Sequence, residues 1–168
     1  MQERIVGLAS FCAFLRCPVE RSYDNQSVLY EPQPEGTPRL SKQLYQIGMA
    51  LAIVHGKDRI SGKIYAILSK IALDLLTVQR KSIIKFLWDN LCWEHYSQWS
   101  TTSEVARGVN LPTSTTKLIL EDLMIIRVLR RDLKGDADNS GYRWQIVEKI
   151  TDIIGFAEIF PQPKMQQS

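Results

Sequence analysis

The tripeptide Asn110-Leu111-Pro112 most constrains the fold of this chain, because it forces a turn between two segments of helical period. Upstream, Thr101 and Glu104 stand at capping-box spacing, which predicts a short helix beginning there. Val105, Ala106 and Val109 give that helix a buried face. Asparagine tolerates the left-handed backbone, so Asn110 suits the helix C-terminus. Leu111 is then positioned to plug the core, and Pro112 fits the start of the next helix. In that helix Thr116, Ile119, Leu120 and Leu123 make an inward stripe, while Ser114, Thr115 and Lys117 point elsewhere.

Two alternating segments follow, "RVLRRD" and "GYRWQIVEK", separated by the polar stretch "LKGDADNSG". They read as two strands and a turn-rich loop. Strand alternation aims Arg127 and Arg131 to one side and Arg130 to the other. Ahead of the capping box, Ile83, Ile84, Leu87, Trp88 and Leu91 define the apolar side of a further helix. Trp88, Trp93 and Trp99 invite a reading as a base-stacking platform. Basic residues do not interleave them, so core aromatics are the favoured reading. "TDIIGFAEIF" is a closing helix or packing tail, and "PQPKMQQS" a frayed end.

The N-terminal half is helical in pattern. Ile5, Leu8, Phe11, Cys12 and Leu15 share one face of a helix over residues 1–16, which Pro18 ends. "VERSYDNQSVLY" reads as a hairpin with Asp24-Asn25 at its turn, and "EPQPEGTP" as a boundary. Leu40, Leu44, Ile47, Leu51 and Val54 then recur at helical spacing. A glycine-broken "HGKDRIS" follows, with Ser61 as N-cap to a second helix whose stripe is Ile64, Ile67, Leu68, Ile71 and Leu75. This helical hairpin needs a partner surface. The expected fold is mainly α with a small β-wing. It comprises an N-terminal helix and hairpin (1–36), a helical hairpin (37–80), a helix-turn-helix with its strands (81–160) and a flexible tail (161–168).

The totals are those of a globular chain: 168 residues, 45% hydrophobic and 23% charged. The net charge of +3 spreads as +3, +1 and −1 over residues 1–80, 81–150 and 151–168. No part is a strong magnet for phosphate, so any nucleic-acid binding must come from local placement of charge and should be weak alone. Three cysteines without framework spacing suit a reducing cytoplasm, and the absence of an apolar run long enough for a bilayer argues against a membrane. Two histidines and no zinc spacing leave no metal site to propose.

Residues 81–150 resemble winged helix-turn-helix domains of bacterial and archaeal DNA-binding proteins, through "SEVARGVNLPTSTTKLILEDL" and "IRVLRRD…GYRWQIV". The resemblance implies that Ser114, Thr115 and Lys117 approach the major groove of double-stranded DNA. It implies that Arg143 at the wing's far edge and Lys134 within the wing approach backbone or minor groove. Two positions depart from the pattern. Leu118 replaces a polar residue, and faces either a thymine methyl or another protein. Ile126 stands where many such domains have a glycine before the first wing strand.

The stretch "TPRLSKQLYQIGMALAIVHGKDRISGKIYAILSKIALDLL" is similar to the helical lid of AAA+ ATPases, nearest the minichromosome-maintenance-like helicase branch. There an arginine opening the first lid helix reaches the nucleotide γ-phosphate, and Arg39 matches it. No G-x-x-x-x-G-K-[ST] segment is present, so ATP and Mg would belong to a longer parent of which this is a C-terminal part. Glu94 with His95, adjacent on a helix, points two ways and makes no acid-base pair; no catalytic residue is assigned. Three readings follow. The first is the DNA-binding part of an AAA+-type ATPase, partnered by the ATPase core or neighbouring subunits. The second is a stand-alone winged helix transcription regulator. The third is a protein-interaction module without DNA binding.

Overall fold

Ile5, Leu8, Phe11, Cys12 and Leu15 are all buried on helix α1 (Gln2–Arg16) in the computed structural model, which describes residues 1–23, 27–91, 99–133 and 141–161. Side chains of this size each gain about 1.5–3 kcal/mol by leaving water, so five on one stripe fix the helix against its neighbours. Those neighbours are α2 (Thr37–Val54), α3 (Gly62–Asp74) and α7 (Glu148–Phe156). Helix α1 thereby joins the first and last elements into one core cluster running from Ile5 to Phe160, across the expected boundaries near residues 36 and 80.

Polar contacts reinforce the same joins. Tyr65 Oη donates to the Ala157 carbonyl at 2.5 Å, and Trp88 Nε1 to that of Pro161 at 2.8 Å. Arg80 Nη1 donates to the carbonyls of Leu15 and Cys17 at 2.9 and 2.6 Å, satisfying acceptors left over where α1 ends.

The α2–α3 pair forms as expected, with Ser61 Oγ accepting from the Ile64 amide at 3.4 Å, but its buried face differs. On α2 the buried residues are Leu40, Leu44, Gly48 and Ala52, while Ile47 and Val54 are exposed. On α3 Ile64, Tyr65, Leu68, Ser69 and Ala72 go inside, while Ile67, Ile71 and Leu75 stay exposed. The physical reason is close approach: the small residues Gly48 and Ala72 admit neighbouring backbone and side chains, and a Cβ on Gly48 would come within 2.7 Å of Ile60 Cδ1.

The C-terminal half runs α4 (Val78–Asp89), β1 (Ser100–Thr101), α5 (Thr102–Val109), α6 (Thr113–Ile125), β2 (Leu129–Leu133), β3 (Tyr142–Ile146) and then α7. The three strands make one antiparallel sheet in the order β1-β3-β2, with Ser100 and Arg131 both opposite Trp144. Trp144, Ile146 and Leu129 face the core with Trp88, Ile83, Ile84, Leu87 and Leu91. Trp88 is thus a core aromatic, as favoured from the sequence; Trp93 and the Glu94–His95 pair lie outside the described residues.

Four helices end alike. After α2, α5, α6 and α7 a residue turns left-handed (Gly56, Asn110, Arg127 and Glu158), and the next amide bonds five residues back, as Val128 does to Leu123 at 2.9 Å. The left-handed position before the first long strand is therefore Arg127, not Ile126, which is the buried C-cap of α6 at φ −81°. Residues 20–22 pair with residues 27–29 through an Arg21–Val28 bridge, with Ser22 and Ser27 and then Leu29 and Glu20 hydrogen-bonded at 2.9 Å. The expected turn at Asp24-Asn25 and the tail from residue 162 lie outside the described residues. No helix among the described residues is long and apolar enough to cross a membrane.

Candidate nucleic-acid interface

The α5–turn–α6 unit is built by local chemistry. Thr101 Oγ1 accepts from the Glu104 amide at 3.2 Å, and Glu104 accepts from the Thr101 amide at 2.7 Å, the reciprocal bonds of a capping box. Asn110 takes φ 54°, and the Leu111 amide reaches the Ala106 carbonyl at 3.0 Å. Leu111 itself is only half-buried and stays out of the core cluster; the turn is closed by backbone bonds rather than by that side chain. Pro112 caps α6 without a side-chain bond, so the first amides of α6 remain available to an anion. Ser103, Arg107, Asn110, Leu111 and Thr113 surround an open notch of about 590 Å³ at this helix start.

Thr116, Leu120 and Leu123 of α6 are buried, and Thr116 Oγ1 donates to the Pro112 carbonyl at 3.0 Å. Ile119 packs half-buried against the core. Ser114, Thr115 and Lys117 are exposed on the first two turns, together with Arg107 across the notch. Arg107 has no periodic signal in the sequence; only its seat in the last turn of α5 brings it there.

Further along, α6 carries two acids whose charge is answered from a distance. Arg21 Nε lies 2.8 Å from Asp122 Oδ1, Arg21 Nη2 3.6 Å from Glu121, and Arg80 Nη2 3.8 Å from Asp122. Glu121 also meets Lys117 at 4.0 Å. Leu118 is half-buried one turn before Asp122. Arg21 thus ties the N-terminal segment to the C-terminal part of α6.

On the sheet, Arg143 is on β3, the central strand, and not at a far edge. Its Nη2 meets Asp132 Oδ2 at 2.8 Å, and its guanidinium lies 5.5 Å from the Trp99 ring centroid. Arg130 approaches the same ring at 5.3 Å while its Nε and Nη2 donate to Gln145 Oε1 at 2.8 and 2.6 Å. Arg131 takes the opposite face and sits 4.5 Å over Tyr142. Alternation therefore separates Arg130 from Arg131 as expected, whereas Arg127 precedes the strand and follows no alternation. Lys134 lies outside the described residues. Arg39 is exposed in the first turn of α2, away from this interface in sequence and element.

Comparison with protein-family models, curated proteins and solved structures returned no match to the chain.

Proposed function

We propose that residues 78–146 act as a winged helix-turn-helix that binds double-stranded DNA through the first turns of α6. One observation carries this reading: the order α4-β1-α5-α6-β2-β3, with its β1-β3-β2 sheet, is coupled to an uncapped α6 start bordered by exposed Arg107 and Lys117. Ser114 and Thr115 would supply hydroxyls and free amides to phosphate, and Lys117 and Arg107 the cations. Arg143 and Arg130 would act mainly by holding the sheet, because both are occupied with Asp132, Gln145 and Trp99. Lys134 remains the residue of the inter-strand loop proposed for backbone contact.

The test is a fluorescence-anisotropy titration with random-sequence duplex at several salt concentrations. About four neutralised phosphates give a log–log slope of about −4. Lys117→Ala and Arg107→Ala should each flatten it by about one. Unchanged binding in the double variant rejects the reading and leaves the protein-interaction alternative standing.

A second reading attaches to Arg39, whose exposed position opening α2 favours a contact outside this chain. We propose it as the nucleotide-sensing arginine of an AAA+-like lid. In a parent bearing a Walker segment, Arg39→Ala would lower ATP turnover without loss of folding; unaltered turnover would remove the assignment.

A further inference from the structure

Of the fifteen large hydrophobic side chains exposed among the described residues, eight fall between Tyr45 and Val78. Scattered exposed hydrophobics need no explanation, but a concentration of them does. Ile47 of α2 and Ile71 and Leu75 of α3 line a groove of about 480 Å³, floored by Leu40 and Leu44. Ile67, Ile71 and Leu75 follow one another at intervals of four along α3, so the apolar stripe continues for two turns. These residues recur at core spacing in the sequence, yet nothing in the described chain covers them.

The charges around this face are mostly positive. Helix α2 carries Arg39 and Lys42 and no acid. Helix α3 carries Lys63, Lys70 and one acid, Asp74, which Lys81 holds at 3.2 Å. Lys63 and Lys70 share the exposed side of α3 with Ile67 and Ile71, and Arg39 stands one turn before Gln43 of the groove. The nearby Glu35 is 3.6 Å from Arg16, another groove residue.

We propose that this groove receives an amphipathic helix of a partner protein, its apolar stripe flanked by acidic side chains. A cleft between two helices fits the anchors of a third at intervals of three and four residues, which a flat lipid surface does not. A second copy of the same hairpin would set lysines against lysines. None of these residues belongs to α5 or α6, so the inference stands apart from the nucleic-acid reading.

The probe is a fluorescein-labelled amphipathic peptide of about 18 residues with leucines at helical spacing and glutamates beside them. Matched peptides carry lysine or glutamine in place of glutamate. With the full chain, the glutamate peptide should bind saturably and at least about tenfold more tightly than the lysine peptide. Ile71→Gln should weaken it by about tenfold while circular dichroism and melting stay as in the parent, since Ile71 is 38% exposed. The Lys63→Gln, Lys70→Gln double variant should lose the preference for glutamate. Equal binding of the three peptides, or no effect of Ile71→Gln, overturns the proposal. So does co-sedimentation with phosphatidylserine vesicles without peptide binding, or a dimer that Ile71→Gln dissolves.

Discussion

Arg21 and Asp122, 101 residues apart in sequence, link the N-terminal segment to α6, with Nε and Oδ1 2.8 Å apart. Their side chains are only 12% and 19% exposed, so the pair is screened far less than a surface ion pair. Removing one partner leaves a half-buried charge with reduced compensation. Arg21→Ala should therefore cost about 2 kcal/mol, less than a fully buried pair because Arg80 still faces Asp122 at 3.8 Å. In a chain of this size that lowers the melting temperature by about 4–8 °C. A double-mutant cycle with Asp122→Asn should show coupling above about 0.5 kcal/mol; strict additivity would mean the pair contributes nothing. Under the nucleic-acid reading, Arg21→Ala also weakens duplex binding, because it uncovers two acids on α6.

That pair also marks what the sequence conceals. The elements from Thr101 to Ile125 are legible because their signals are local: a capping box, an αL-tolerant asparagine and one apolar period. Ser114, Thr115 and Lys117 are readable as outward for the same reason. Strand order is not local, so alternation places Arg143 on a face but does not reveal that β3 lies between β1 and β2. Nor does periodicity choose between two apolar faces on α2 and α3. That choice falls to the small residues Gly48, Ala52 and Ala72, which let α1 and the neighbouring helices come close.

Gly108 is needed for a different close contact. A Cβ placed on it would overlap the Phe86 ring of α4, whose ring packs against the core. Gly108→Ala should gain about 1 kcal/mol in helix propensity yet lose about 1–3 kcal/mol to overpacking, for a net fall in stability. Urea denaturation reads the difference. Phe86→Leu in the same chain should recover part of the loss; a Gly108→Ala variant more stable than the parent would show that Phe86 moves aside freely.

Arg127 holds φ 60°, a left-handed conformation that costs a non-glycine residue about 1–2 kcal/mol. Its ion pair with Glu31 at 4.0 Å joins side chains 87% and 80% exposed and offsets little of that. Arg127→Gly should raise stability by about 1 kcal/mol after the extra chain entropy of glycine, or about 2–4 °C in melting temperature. Arg127→Ala keeps the strain and should change little. Equal melting temperatures for the glycine and alanine variants would contradict the assignment of strain.

Cys12 gives the fold a direction of pH sensitivity. Burial pushes its thiol from about 9.0 to about 12, with Arg16 pulling weakly the other way, and Sγ donates to the Ala72 carbonyl at 3.5 Å. Burial raises Cys17 and Tyr65 as well. A raised folded-state pKa means that the native chain holds a proton which the unfolded chain releases above about pH 9. The stabilisation is therefore fully present below pH 9 and is lost as pH climbs toward 12. Urea unfolding at pH 7.5 and 10.5 should show lower stability at the higher pH, and Cys12→Ala should reduce that difference. The same burial makes the thiol inert: in a Cys92→Ser background, native protein at pH 8 should react slowly with a thiol reagent at Cys12 and quickly once unfolded. Rapid native labelling of Cys12 would show that α1 and α3 open far more readily than their packing implies.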